Sequence, residues 1–224
     1  MTEELEKRIG YSFKDKSILK TALTHSSYAN ENSGEMKYNE RLEFLGDSVL
    51  GIITADYLFH DHENFPEGEL TKVRSALVCE KSCCKFARSI DLGRYLYLGK
   101  GEINTGGRER VSILADAFEA LIAAIYLDGG MENAKKFVLD FIVREQSEAV
   151  RANKDYKTAL QEIIQKNPEE KVEYFVVGES GPDHDKRFDV EVRLNSNVIG
   201  AGSGRSKKAA EQAAAAQALD LMGL

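Results

Sequence analysis

Along the first 150 positions, apolar residues recur at spacings of three and four. They form short runs broken at Gly10, Asn30 to Gly34, Pro66 to Gly68, Gly99 to Gly107 and Gly129 to Gly130. That period is the mark of amphipathic helices. It predicts helices near 3–9, 15–22, 38–59, 69–78, 80–90, 111–127 and 131–149, with no strand-like alternation among them. The stretch Ser147 to Lys154 is polar and aperiodic, and the pattern changes after it. A helix over 156–165 carries Leu160, Ile163 and Ile164 on one face and stops at Asn167-Pro168. Strict alternation follows at Val172, Tyr174 and Val176, and again at Phe188, Val190, Val192 and Leu194; Asn197 to Gly202 reads as a third strand. Lys207 to Leu221 predicts a closing helix, with the alanines at 213–216 as helix filler. The expected fold is therefore an all-α domain over 3–150, a linker at 151–154 and an α+β domain over 155–224. The second domain, in the order α-β-β-β-α, is expected to form a three-stranded antiparallel sheet with both helices on one face.

Composition narrows the setting more than the chemistry. Of 224 residues, 42% are apolar and 30% charged, as in ordinary soluble proteins. The N-terminus is charged from the start and no apolar run reaches membrane-spanning length, so a cytoplasmic protein without membrane contact is expected. Three cysteines, Cys79, Cys83 and Cys84, lie in one short stretch with no histidine at ligand spacing, which points to reduced thiols rather than zinc. The net charge of −7 argues against nucleic acid, but only weakly, because binding depends on where the cations sit.

Candidate chemistry starts at Asn39 to Asp47, NERLEFLGD. Glu40, Glu43 and Asp47 stand at i, i+3 and i+7, one stripe of a helix, while Leu42, Leu45, Val49 and Ile52 form an apolar stripe opposite. A solvated acidic face has the same spacing. A second acid pair changes the picture: Asp116 and Glu119 are the only charged residues between Ile113 and Leu127, at i and i+3. Buried carboxylates are protonated, paired or bound to metal. A cation from elsewhere in the chain is one solution. The other is that Glu43, Asp47, Asp116 and Glu119 meet as four oxygen donors, a set suited to magnesium or manganese and to phosphoryl transfer. The glycines of 99–107 lack the ending of a phosphate loop, so no nucleotide cofactor is expected; they read as a flexible connector that leaves Arg108 and Arg110 placed to reach a phosphate backbone. His25 beside Ser26 and Ser27 reads as a hydrogen-bonded structural histidine.

NERLEFLGD resembles the signature of the ribonuclease III family, and SILADAFEALIAAIYLDGG resembles its second acidic motif. Thr24 to Ser27 ahead of the signature and the Glu67-Gly68 loop after it fit the same order. The resemblance implies a double-stranded-RNA endoribonuclease in which Glu43, Asp47, Asp116 and Glu119 hold Mg2+ (Mn2+ substituting) and Asp47 and Glu119 are catalytic. Glu40 and Glu67 are its supporting carboxylates. It also implies hydrolysis by a magnesium-activated water to 5′-phosphate and 3′-hydroxyl ends, on precursors of ribosomal, messenger and transfer RNA. A homodimer of the helical domain is expected, since cutting both strands needs two sites; apolar residues around Phe44 and Tyr57 to Phe59 are contact candidates. A duplex-RNA-binding regulator that does not cleave is the alternative.

The C-terminal part holds nine Lys or Arg against twelve Asp or Glu. Yet Lys207 and Lys208 open a helix, where cations oppose the macrodipole and where a phosphate would be welcome. This part is similar to the double-stranded RNA-binding domain. By that resemblance Thr158, Gln161 and Glu162 on the first helix and His184 between the first two strands face the minor grooves, and Arg205, Ser206, Lys207 and Lys208 span the phosphates between. The acidic surroundings of His184 predict binding that is weak or sensitive to salt.

Overall fold

The described residues of the computed structural model, 2–32, 36–153, 155–165, 167, 169–182 and 185–223, contain eleven α-helices, three strands and two short 3-10 turns, at Leu92–Tyr95 and Gly107–Glu109. The helices of the first part are α1 (Thr2–Ile9), α2 (Lys16–Ala22), α3 (Ser26–Glu31), α4 (Glu40–Asp61), α5 (Glu67–Val78), α6 (Glu80–Ser89), α7 (Lys100–Asn104), α8 (Val111–Gly129) and α9 (Met131–Asn153). After them come α10 (Tyr156–Ile164), β1 (Val172–Ser180), β2 (Arg187–Leu194), β3 (Asn197–Gly204) and α11 (Lys207–Leu221). The chain divides after Asn153 into two compact units.

In the first unit α8 is the hub. It is buried at nearly every position from Ile113 to Ile125 and packs mainly against α4, α6 and α9. An all-round apolar helix forces this placement, because only a surrounding shell of helices keeps every face from water. Phe86, Phe118, Phe137 and Phe141 lock α6, α8 and α9 together, with ring centroids 5.2–5.6 Å apart.

The C-terminal unit is an antiparallel sheet in the order β1-β2-β3. Its core joins Leu160 and Ile164 of α10 to Val190 and Val192 of β2 and to the alanines of α11. The alanine run is more than filler. A Cβ at Gly200 or Gly202 would overlap the backbone around Ala214, and one at Gly204 the backbone at Ala210, so glycines on β3 and alanines on α11 form a seam too close for larger side chains.

Four expectations of the sequence need correction. The proposed linker is helical through Asn153, as the end of α9; Lys154 lies outside the described residues. Ala149 is buried on this extension and Val150 packs beside it, so the core of the helical unit holds its first turn. Glu67 and Gly68 form no loop, because Pro66 caps α5 and Glu67 is its first residue. Positions 99–107 contain α7 and the start of a short 3-10 turn at Gly107–Glu109, not a structureless connector. Finally, Ile52 does not join the buried stripe of α4: it is 58% exposed, with Phe44 at 79% and Phe59 at 67%.

Candidate functional site

The site is hung from the start of α4. Asn39, the N-cap, is buried; its backbone N–H donates to the Thr24 carbonyl at 2.9 Å, and its own carbonyl accepts from the N–H groups of Leu42 and Glu43. Thr24 forms an isolated bridge with Tyr97, flanked by Tyr97 N–H to the Leu23 carbonyl at 2.8 Å and His25 N–H to the Tyr97 carbonyl at 3.0 Å. His25 is also the N-cap of α3, its Nδ1 accepting from the Ser27 N–H at 3.2 Å. The structural reading of His25 thus holds.

From this anchor α4 crosses α8 at Gly46. A Cβ on Gly46 would overlap the carbonyl of Glu119, so the glycine inside the acidic motif is what lets the two backbones touch. The contact sets Glu43 and Asp47 on either side of the point where α8 presents Asp116 and Glu119. Burial raises the Glu119 carboxyl to about 7, with Asp47, Glu43 and Asp116 adding repulsion. Burial also raises Glu43, with Asp116, Glu40 and Asp47 contributing. For Asp116 the causes are burial, then Glu80, partly offset by His25, then Glu40. The four carboxylates are therefore near enough to feel one another, and none forms an ion pair with Lys or Arg among the described residues. Among the described residues, then, no Lys or Arg neutralises them, and His25 only partly offsets the shift on Asp116.

Among the described residues, no three His, Cys, Asp or Glu side chains are already gathered to hold a metal ion. An oxygen-only set on two crossing helices fits a hard divalent ion. Two residues here carried no sequence signal. Glu80 reaches Asp116 from the first turn of α6. Cys83, fully buried on α6, donates from Sγ to Glu119 Oε1 at 3.7 Å, with the Val78 carbonyl equally distant; burial and then Glu119 push its thiol up. Only a fold that sets α6 beside α8 could reveal either.

Other predicted residues fall elsewhere. Glu40 is exposed at the head of α4 and contributes repulsion to Glu43 and Asp116. Glu67 accepts from Thr71 Oγ1 at 2.8 Å and lines a hollow of about 160 Å³ with Ala55, Leu58, Phe59, Leu70 and Arg74. Ala55 is eight residues beyond Asp47, about 12 Å along α4, so Glu67 is not brought to the four acids within one chain. Arg108 is not free for RNA: its guanidinium donates to the carbonyls of Gly93, Arg94 and Leu96 at 2.7–3.3 Å. Arg110 is engaged by Glu102 and Thr105.

On the C-terminal unit, Thr158, Gln161 and Glu162 are exposed along α10, whose start is capped by Asp155. Ser206 caps α11, its Oγ accepting from the Ala209 N–H, and leaves Lys207 and Lys208 exposed on the first turn. Arg205 lies 3.7 Å from Asp185. His184 lies outside the described residues.

Comparison with known proteins covers both units. The Ribonuclease-III-like family matches residues 15–146, and the Double-stranded RNA binding motif matches 156–222. Ribonuclease 3 of Caldanaerobacter subterraneus is 49% identical over 226 residues, covering 100% of this chain and 99% of that one. Ribonuclease 3 of Listeria monocytogenes is 48% identical over 220 residues, 97% of this chain and 96% of its own. Among solved structures, the nuclease domain of ribonuclease III from Campylobacter jejuni, described for flexibility in the region of dimer formation, matches at 46% identity with a TM-score of 0.61. It covers 64% of this chain and 97% of that one. A helical unit with an acidic crossing, followed by an RNA-binding unit and matched in that order along the whole chain, makes this protein a member of the ribonuclease III family, a metal-dependent endoribonuclease of double-stranded RNA.

Proposed function

We propose that Glu43, Asp47, Asp116 and Glu119 hold Mg2+, with Mn2+ as a substitute, and that Asp47 and Glu119 are the catalytic pair. The observation that carries this reading is the Glu119 carboxyl, raised to about 7 by burial and by three carboxylates. A bound divalent cation supplies charge stabilisation on the scissile phosphate and a lowered pKa for water. The chain's own contribution is placement. Gly46 fixes the distance between the acid pairs, Cys83 orients one oxygen of Glu119, and Asp47 stands exposed to solvent. Hydrolysis leaves 5′-phosphate and 3′-hydroxyl ends, and the substrates are hairpin regions of ribosomal, messenger and transfer RNA precursors.

Thr158, Gln161, Glu162, His184, Arg205, Ser206, Lys207 and Lys208 grip the duplex by its shape. The working unit is a two-fold homodimer through α4 and its hollow, supported by the exposed Phe44, Ile52 and Phe59 and the recess that Glu67 borders. Its setting is the cytoplasm; among the described residues no helix is long and apolar enough to cross a membrane. One experiment tests the site. Glu119→Ala is expected to lower cleavage of a long RNA duplex in magnesium by about 10³-fold or more while duplex binding in calcium stays within twofold. Parental protein that binds but never cuts at any divalent-metal concentration overturns the assignment.

A further inference from the structure

The first turn of α11, where RNA phosphates are expected, already holds an anion of the protein's own. Glu179 is the penultimate residue of β1 and stands directly opposite Phe188 in the β1–β2 register, so the two side chains share one side of the sheet. Its carboxylate reaches two lysines, one with each oxygen. Oε2 lies 2.8 Å from Lys186 Nζ, and Oε1 lies 4.0 Å from Lys207 Nζ. Both ammonium groups sit over the Phe188 ring, 5.6 and 5.7 Å from its centroid, which makes that half-buried ring a common platform for them. The lysines hold the Glu179 carboxyl below its ordinary value, Lys186 most strongly. Nearby, Arg205 faces Asp185 in the same manner, and of the expected phosphate contacts Lys208 makes no ion pair among the described residues.

We propose that Glu179 sets the affinity of this protein for duplex RNA by occupying the cation pair Lys186–Lys207 as an internal rival of the phosphodiester. A carboxylate offers two anionic oxygens at nearly the spacing of the two non-bridging oxygens of a phosphate, so the clamp that holds Glu179 also fits the RNA backbone. RNA must displace the carboxylate to reach the lysines, so the contact is weakened and the enzyme releases a duplex more readily than its lysines alone would allow. Lys186 joins the RNA-contacting set on this account. The inference rests on the reading that the start of α11 meets RNA phosphates.

The test uses the full chain in calcium with a labelled RNA duplex longer than the roughly 16 base pairs such a domain spans. Glu179→Gln keeps the shape and removes the charge, and its exposed position at a strand end leaves folding intact, which a melting curve checks. Affinity is expected to rise about fourfold at low salt, the effect of one unit charge near 5 Å in water, and the gain is expected to shrink as salt screens it. In a Lys186→Ala, Lys207→Ala background the same substitution is expected to change nothing. An unchanged or weaker Glu179→Gln affinity overturns the proposal, because the carboxylate would then be neutral or would pre-order the lysines for RNA. An equal gain in the double-alanine background also overturns it, since general charge would be the cause. Lys207→Ala alone separates the two readings: if it leaves affinity unaltered, the phosphate site itself is misplaced.

Discussion

Both units depend on glycine pressed against the backbone of another element, and they use that contact to opposite effect. At the α4–α8 crossing Gly46 brings together carboxylates that repel one another, and Glu43, Asp116 and Glu119 stay raised in pKa. In the β3–α11 seam, Gly200, Gly202 and Gly204 bring together alanines, Val190, Val192 and Leu160, a core that asks for no ligand. The first contact stores electrostatic cost that a cation relieves; the second is simply burial. In the nuclease unit, then, stability and function pull against each other, whereas in the C-terminal unit they coincide.

The contrast can be broken first at Gly46. Gly46→Ala gains some helix propensity but must push α4 off Glu119, with about 1–3 kcal/mol of strain and a displacement that costs about 10²-fold or more in single-turnover cleavage. Parental cleavage in that variant would show that the crossing does not set the acids. Next in size, Gly202→Ala is expected to cost the C-terminal unit about 2 kcal/mol. Hydrogen exchange followed by mass spectrometry is expected to show lost protection across 156–221 and none lost in α4 or α8; duplex affinity falls while the acid cluster is untouched. The smallest effect sharpens the comparison through pH. Glu119 keeps its proton in the folded chain up to about 7, whereas an ordinary glutamate gives it up near 4.5. Between those values the folded state binds more protons than the unfolded one, so metal-free stability falls as pH rises through that window and levels off above it. With the group's partial exposure discounted, the loss is about 1 kcal/mol. Exchange in α8 at pH 5 and pH 8 with a chelator measures it, and magnesium is expected to restore more protection at pH 8 than at pH 5.

Much of this was legible in the chain because period and charge are local properties. Glu43 and Asp47 announce themselves by spacing, and Asp116 and Glu119 by being the lone charges in an apolar helix. The strand order of the C-terminal unit was equally plain from alternation at Val172–Val176 and Phe188–Leu194. What escaped was whatever only packing decides. Apolar residues surround α4 on every side, so its sequence could not say that Ile52 faces outward while Val49 and Ile53 face in. Gly46 looked like a blemish in a helix, and its meaning lies in a carbonyl 73 residues away. α3, α7 and the 3-10 turn at Gly107–Glu109 are too short for periodicity, and they are held by caps and by Arg108, whose charge suggested RNA but whose geometry serves three carbonyls. The acidic balance of the C-terminal unit hid the opposite way: the anions that seemed to forbid RNA are partly the partners of the cations proposed to bind it.

The Gly46–Glu119 contact also carries a clock. Asp47 and Glu119 are 72 residues apart in the chain, so at 5–20 residues per second a ribosome needs roughly 4 to 14 seconds after making one half of the acid cluster to make the other. With the proposed site, the emerging protein has its signature helix through that interval but only half of its acid cluster. A hydrolase that acts on folded RNA, born beside ribosomal RNA and tethered to its own message, would on that assignment become competent only once α8 has left the exit tunnel and closed on α4.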